Sequence, residues 1–343
     1  MIASGRIKKD KKLIQRNNYF YPFLTCRLRS CLSCYFVSTQ TSFASFLEVD
    51  GHNIFKAHFK QKKLFSILYY TLVLPELIRA VDIYVIFWYY KVMKRYNPVC
   101  NIELFHLLFL DQLSRKLNKN MYALKGGCNL RFFLKSVRYS QDIDFDIQQV
   151  RVDTLRNTIH KLIESTPFSY ILRAHGIAIV DFSEPKQTET TQRWKLTLQV
   201  KDSVIPLHTK IEFSRREGGG EMLFDTIDPM VIQEYNLAPI YINHYIPEVA
   251  LRQKIQALIG RTQTQARDIF DIHHLFKMGV KLINLPSQTM SRLDQAESNA
   301  LSLSFNDFKS QVIAYLPYEY QSQYDDQKVW DNMVLEIIEK MKK

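Results

Sequence analysis

The sequence predicts an α+β chain in which a domain built on a mixed sheet is followed by a helical domain. Three observations predict it. Between residues 101 and 165, stretches with apolar residues at helical spacing alternate with short strand-like runs. Between 170 and 213 the period falls to two, and β-branched and aromatic residues are enriched. Beyond 247 the helical period returns.

In chain order, 101–117 is an expected helix, with Leu104, Leu107, Leu108, Leu110 and Leu113 at helical spacing. Residues 121–125 form a short strand that runs into Gly126-Gly127, and 127–134 form the helix behind it. A strand is expected over 143–147. An amphipathic helix follows over 152–165, with Leu155, Ile159, Leu162 and Ile163 on one side. Segments 170–173, 177–182, 194–200 and 207–213 read as strands, and 184–191 as a polar hairpin loop. Gly218-Gly219-Gly220 begins a connection. Helices are expected over 247–259, 264–277, 305–315 and 327–341. The expected divisions are 1–98, a basic region matching no recognisable pattern; 99–225, the sheet domain; and 226–343, the helical domain.

The chemistry lies in 125–146. Alternate residues of a strand point the same way, about 6–7 Å apart. Asp142, Asp144 and Asp146 therefore share a face. A hydrophobic core has no use for three carboxylates on one side, whereas a pair of Mg²⁺ ions does, because hard cations take several oxygen ligands. Asp142 and Asp144 are the expected metal carboxylates. Glu212, in Lys210-Ile211-Glu212, is the best candidate for a third on a neighbouring strand, and Asp146 a weaker one. Gly126 and Gly127 let backbone approach phosphate at a helix N-terminus. Ser140 either contacts phosphate or caps a turn. Arg131, one helical turn in, either reaches phosphate or, like Arg138, pairs with a carboxylate.

This arrangement resembles the polymerase-β-like nucleotidyltransferases, and more closely the AbiEii/AbiGii toxin family. The resemblance rests on Leu124-Lys125-Gly126-Gly127-Cys128 and on Arg138-Tyr139-Ser140-Gln141-Asp142-Ile143-Asp144-Phe145. A second block comprises Lys254-Ile255-Gln256-Ala257-Leu258, Arg261 and Arg267-Asp268-Ile269-Phe270-Asp271. The match spans roughly residues 101–280. Cys128 stands where the family has a small hydroxyl residue, which makes it a weaker phosphate or metal contact.

The resemblance implies a polymerase-β-like catalytic domain over 99–225. It implies metal-dependent transfer of a nucleoside monophosphate from NTP to an acceptor hydroxyl, as the toxin of a bacterial toxin–antitoxin or phage-defence pair. It makes Lys125, Gly126, Gly127, Cys128, Arg131, Ser140 and Lys254 nucleotide-binding residues. Lys254 would neutralise triphosphate from across the cleft, and Asp268 would orient it or help activate the acceptor. Expected partners are NTP, with tRNA or another RNA as acceptor, and an AbiEi-like antitoxin. Arg261, Arg267 and Asp271 are expected to tie two helices together by ion pairs.

Net charge is +12, with a pI near 9.3, but it is unevenly spread. Residues 1–98 hold 16 Lys/Arg against 5 Asp/Glu, and 99–343 hold 30 against 29. The motif region is nearly neutral, so any RNA groove must come from local clusters such as Arg215-Arg216, Lys277 and Lys281. Five cysteines without framework spacing point to a reducing cytosol. Pro75, Glu76, Arg79 and Asp82 interrupt the apolar stretch 64–90, which reads as a buried helix pair rather than a membrane span. Met93 is a candidate native start. Cys31, Cys34, His52 and His58 come near a zinc-finger spacing with too long an arm, and His273-His274 reads as a helix-end surface pair. Two other classes compete with the transferase: a nucleotide-binding module that no longer catalyses, suggested by Cys128, and a basic DNA-binding protein acting through residues 1–98.

Overall fold

Asn97 starts the first helix: its Oδ1 accepts the Val99 N–H at 3.1 Å, and Pro98 occupies the first turn, where no N–H is needed. The structure is a computed structural model that describes residues 97–215, 220–282 and 285–342. The expectations for the cysteine–histidine set, for Met93 and for 64–90 lie outside the described residues. Among the described residues, no helix is long and apolar enough to cross a membrane.

Helix α1 (Pro98–Ser114) leads through a short turn into β1 (Tyr122–Lys125), α2 (Gly126–Phe133) and β2 (Asp142–Ile147). Then come α3 (Val152–Ile163), α4 (Thr166–Ala174), β3 (Ile177–Gln187), β4 (Thr191–Val200) and β5 (Leu207–Ser214). After the connection, β6 (Met222–Thr226), α5 (Pro229–Glu234) and β7 (Tyr241–Tyr245) complete one sheet of seven strands in the order β3-β4-β5-β2-β1-β7-β6. The β2–β5 and β1–β7 pairs are parallel and the other four antiparallel, so the sheet is mixed as expected. The rest is helical: α6 (Pro247–Gly260), α7 (Ala266–Lys277), α8 (Ser287–Met290), α9 (Leu293–Leu301), α10 (Phe305–Gln311), α11 (Tyr318–Tyr324) and α12 (Gln327–Lys342).

Strand periodicity divides the sheet into a core face and a charged face. Ile143, Phe145, Ile211, Phe213, Trp194 and Leu124 are buried on one side with α1, α3 and α4. Asp142, Asp144, Asp146, Lys210, Glu212, Arg193 and Lys125 alternate with them on the other. A second core joins α6, α7, α9, α10 and α12. Helix α2 contributes to both: Cys128 and Phe132 to the first, Leu130 and Leu134 beside it to the second. That shared helix fixes the charged face of the sheet against the helical half.

Four sequence expectations are corrected. Residues 170–173 are helical, within α4, because Ser165 Oγ accepts the Phe168 N–H at 3.3 Å, Pro167 sits in the first turn, and Phe168 and Leu172 bury at helical spacing. The first half of the expected loop 184–191 continues β3 as far as Gln187, and Thr191 opens β4. The helix expected over 305–315 breaks at Val312 and tightens into a 3₁₀ turn, Ile313–Tyr315. The boundary at 225/226 falls inside β6, and β7 pairs with β1, so the sheet runs on to residue 245.

Candidate active site

The glycine turn and the acidic strand meet. Gly126 has φ +69°, a conformation that favours glycine, and a Cβ placed there would lie 3.0 Å from Asp144 Oδ2. At Gly127 a Cβ would lie 2.6 Å from Ser140 Oγ and 3.1 Å from Arg138 Nη2. The lack of side chains thus lets the N-terminus of α2 press against the start of β2.

In-register pairing brings the other strands to the same place. Asp144 faces Lys125 on β1 and Glu212 on β5, and Asp142 faces Lys210. Lys210 Nζ lies 3.1 Å from Asp142 Oδ2 and 3.8 Å from Glu212 Oε2, so an ammonium group already sits among the carboxylates. Glu212 Oε2 also accepts from Arg193 Nε at 2.7 Å. Burial pushes the Asp144 carboxyl up and Lys210 pulls it back; Asp142 and Glu212 push it further up, and it remains above its ordinary value. A bound cation would offset both that burial penalty and the repulsion from Asp142 and Glu212. The donor set of hard carboxylate oxygens fits a divalent cation at Asp142 and Asp144. Among the described residues no cluster of three His, Cys, Asp or Glu that could hold a metal is preformed, and Glu212 is paired with Arg193 and Lys210.

Above this floor lies a cleft of about 530 Å³, closed from the far side by α6 through Ala250, Gln253, Lys254 and Ala257. Lys254 reaches into it from a buried brace: Nζ is 2.6 Å from Asp271 Oδ2 and 3.2 Å from Asp268 Oδ1. Arg138 holds Asp271 with two bonds, of 3.1 and 2.9 Å, and Arg261 Nε holds Asp268 at 2.7 Å. Burial alone would raise the Asp271 carboxyl, but Arg138 and Lys254 reverse the effect and hold it at about 2. The cleft also receives Arg193, Arg261 and Arg267, giving a cationic rim over an acidic floor.

Of the expected site residues, the structure brings Lys125, Gly126, Asp144, Glu212 and Lys254 into this cleft, while Asp142 opens into an adjoining cavity. Asp146 is tied to Lys125 and to the Tyr245 hydroxyl (2.8 Å), which commits it to structure. Four further expected residues are held by groups of the protein, Arg131 and Ser140 in the carboxylate-pairing and turn-bracing roles the sequence left open to them. Cys128 is 1% exposed; its thiol, pushed well up by burial, sits against His106 Nδ1 (3.7 Å) and donates to the Asp142 carbonyl (3.3 Å). Its side chain therefore packs behind β2 and away from the cleft. Arg131 grips buried Glu103 at 2.7 and 3.1 Å and covers the Tyr139 ring, on the far side of α2. Ser140 donates to the Asp142 carbonyl at 2.8 Å and braces the turn. Asp268 is fully buried and accepts from Lys254 Nζ and Arg261 Nε, which orients both.

The expected helix-tying network exists with different members. Asp271 joins Arg138 and Lys254, Arg261 joins Asp268, and Arg267 donates to Gln265 at 2.7 Å. His273 and His274 lie toward the C-terminal end of α7 as expected, but half-buried and engaged with Glu336 (3.1 Å) and the Leu134 carbonyl (2.6 Å). Arg215 is folded onto the Val150 carbonyl and Lys277 onto Glu336; Arg216 lies outside the described residues. Sequence reasoning passed over Lys210 and Arg193. Strand alternation carried the signal: Lys210 is two residues from Glu212, and the β4–β5 register sets Arg193 opposite it.

These features coincide with the family described as nucleotidyl transferase AbiEii toxin of type IV toxin–antitoxin systems, which matches residues 108–332. The chain belongs to this family. It is a nucleotidyltransferase-family enzyme and toxin, and membership implies an NTP substrate, a divalent metal and an antitoxin partner. The fold is similar to MenT4, a nucleotidyltransferase toxin of Mycobacterium tuberculosis H37Rv, with a TM-score of 0.52 and 16% identity over 73% of this chain and 85% of that one. JHP933 from Helicobacter pylori gives a TM-score of 0.46 and 20% identity over 71% of this chain and 93% of its own. No curated protein matches the chain by sequence.

Proposed function

We propose that this protein transfers a nucleoside monophosphate from NTP to an acceptor hydroxyl, with release of pyrophosphate. The approach of Gly126 to Asp144 carries the reading: it sets a helix N-terminus beside the Asp144 carboxylate on one cleft, with Glu212 on the same floor. Asp142 and Asp144 would hold Mg²⁺, with Glu212 beside them, and a bound Mg²⁺ would neutralise charge on the reacting phosphate oxygens. A two-metal arrangement would draw Glu212 from Arg193.

The chain's own contribution is positioning and charge. The N-terminus of α2 at Gly126 and the side chain of Lys125, tied to Asp146, line the floor where the outer phosphates would rest. Lys254 opposes them from α6, its ammonium aimed by Asp268 and Asp271. Arg193, Arg261 and Arg267 add cationic donors at the rim, where charge builds during phosphoryl transfer. An RNA acceptor such as tRNA agrees with this chemistry, and a cognate AbiEi-like antitoxin with the family. Incubation with labelled NTPs, Mg²⁺ and total tRNA tests the reading. Label should appear on RNA and vanish in Asp144→Ala. Label that persists in that variant overturns it; NTP binding without transfer returns the reading to a non-catalytic binding module.

A further inference from the structure

A second cavity, of about 300 Å³, opens beside Asp142. Its lining includes Gln141, Gln265, Gln311, Arg267, Ser310 and Tyr315. Arg267 lines this chamber and the main cleft alike, so the two adjoin. We infer that the chamber is a nucleobase subsite, which reads a base through its hydrogen-bond acceptors; this rests on the transferase reading above.

The inference comes from which ends of three of the four lining amides are already used. Gln311 Oε1 accepts the Ala266 N–H at 2.8 Å, and Gln265 Oε1 accepts Arg267 Nε at 2.7 Å. Both partners can only donate, so the orientation of each amide is set by chemistry. Gln141 Oε1 lies 3.0 Å from the Tyr315 hydroxyl, which donates to it. Each of these three oxygens already accepts one protein hydrogen bond, while among the described residues no donor of their NH₂ groups is used within the protein, so the three amides present a surplus of donors; Gln263, the fourth amide of the lining, adds both a donor and an acceptor. The Ser310 hydroxyl spends its proton on the Asp307 carbonyl. The one carboxylate of the lining, Asp142, is paired with Lys210.

A chamber of this kind favours a ligand rich in acceptors. The division of labour with the main cleft says which ligand. The charged donors Lys125, Lys254, Arg193 and Arg261 line the main cleft, where phosphate belongs. The smaller chamber sets four neutral amides beside Arg138, Arg267 and Asp142, of which Arg138 is held by Asp271 and Asp142 by Lys210, and the amides suit the uncharged carbonyl oxygens and ring nitrogens of a base. Its volume is at the lower end of the ~300–1,000 Å³ usual for small-molecule sites. Its place at the Asp142 end of the carboxylate pair, away from Lys125 and Gly126, is where the nucleoside side of a bound nucleotide or the last base of an acceptor strand would lie. Two adjacent acceptors, as in O6/N7 of guanine or O2/N3 of cytosine, match paired donors. Adenine, whose N6 amino group neighbours both N1 and N7, matches them worst.

The test uses the full chain and Gln311→Glu, which keeps the acceptor for Ala266 but turns the free NH₂ into an oxygen; Gln141→Glu is the second variant. Gln295→Glu, on exposed α9, is the control. Two ligand series are titrated by equilibrium binding: the four α,β-methylene NTPs, and fluorescent single-stranded oligoribonucleotides that differ only in their 3′-terminal base. In the wild type, the adenine member of one series should bind weakest. In Gln311→Glu, affinity in that series should shift toward adenine by about fivefold, the worth of a hydrogen bond exchanged for a repulsion. A shift in the NTP series assigns the base to the incoming nucleotide, and a shift in the oligonucleotide series assigns it to the acceptor. If neither series moves by more than twofold in either variant while wild type binds NTP, the subsite is refuted and the transferase stands. If wild type binds no NTP, the transferase reading falls and takes the subsite with it.

Discussion

Asp271→Asn should be the most informative change outside the cleft. The carboxylate is fully buried and accepts from both Arg138 and Lys254. Lys254 keeps Asp268 when Asp271 is neutralised, but Arg138, 3% exposed, keeps only the Tyr139 carbonyl, at 3.0 Å. Stranding a buried charge in this way costs about 3–5 kcal/mol. The acid dependence supplies a second, independent magnitude. The folded carboxyl sits at about 2 against an ordinary 3.8, and at ~1.36 kcal/mol per pH unit that difference amounts to about 2 kcal/mol. The sign follows from the depressed value. The contribution is fully present above pH 3.8 and is lost as pH falls toward 2, where the folded state also binds the proton. The assay is urea unfolding followed by tryptophan fluorescence, since Trp194 and Trp330 report on the two cores. Wild type minus variant should be about 3–5 kcal/mol near neutrality and shrink by about 2 kcal/mol between pH 4 and pH 2. A difference below about 1 kcal/mol at neutrality, or one that stays flat in acid, would refute the claim that this buried network braces the two halves. As a check on mechanism, Arg138→Met combined with Asp271→Leu should recover much of the loss, because an apolar pair strands no charge.

Other expectations follow from the placement of single residues. Gly127→Ala drives a methyl group to 2.6 Å from Ser140 Oγ, so it should cost about 1–3 kcal/mol by thermal or urea unfolding and lower kcat for transfer. Cys128→Ser should leave kcat/KM for NTP within about threefold of wild type, since its buried side chain touches His106 and the Asp142 carbonyl and a hydroxyl can donate to the same acceptor. Arg131→Ala should destabilise by about 2–4 kcal/mol, because Glu103 is left buried with only the Tyr235 hydroxyl, while the KM for NTP holds; a raised KM at unchanged stability would contradict the assignment. Mg²⁺ at 100 times its Kd should stabilise the wild type by about 2.7 kcal/mol, read as a shift in unfolding midpoint, and should do little for Asp144→Asn. Lys210→Met removes the ammonium beside Asp142, so it should lower stability in EDTA and enlarge the Mg²⁺-dependent gain.

Much of this was legible in the chain because it depends on local period. Strand alternation alone sets Asp142, Asp144 and Asp146 on one side and Ile143, Phe145 and Ile147 on the other, whatever the rest of the protein does. Gly126-Gly127 before an apolar helix marks a turn that carries donors. The mixed sheet and the C-terminal helices were readable for the same reason. Residues 170–173 were not, since Tyr170, Ile171 and Leu172 suit either period until the cap at Ser165 and the proline after it are weighed. Short β7 gave little warning, because it gains strand character by pairing with β1, about 120 residues earlier.

Sequence by itself determined the inventory of chemistry: which carboxylates, cations and glycines exist, and which share a face. Tertiary structure decided their employment. Asp146 is claimed by Lys125 and Tyr245, Glu212 by Arg193, Asp268 and Asp271 by Lys254 and two arginines, and Cys128 by the core. The physical reason is that a charged group in a low-dielectric setting must find a partner, and in this fold most of those partners come from distant elements of the chain. Local pattern does not specify which long-range partner arrives first, so it cannot say which groups remain free to meet a substrate.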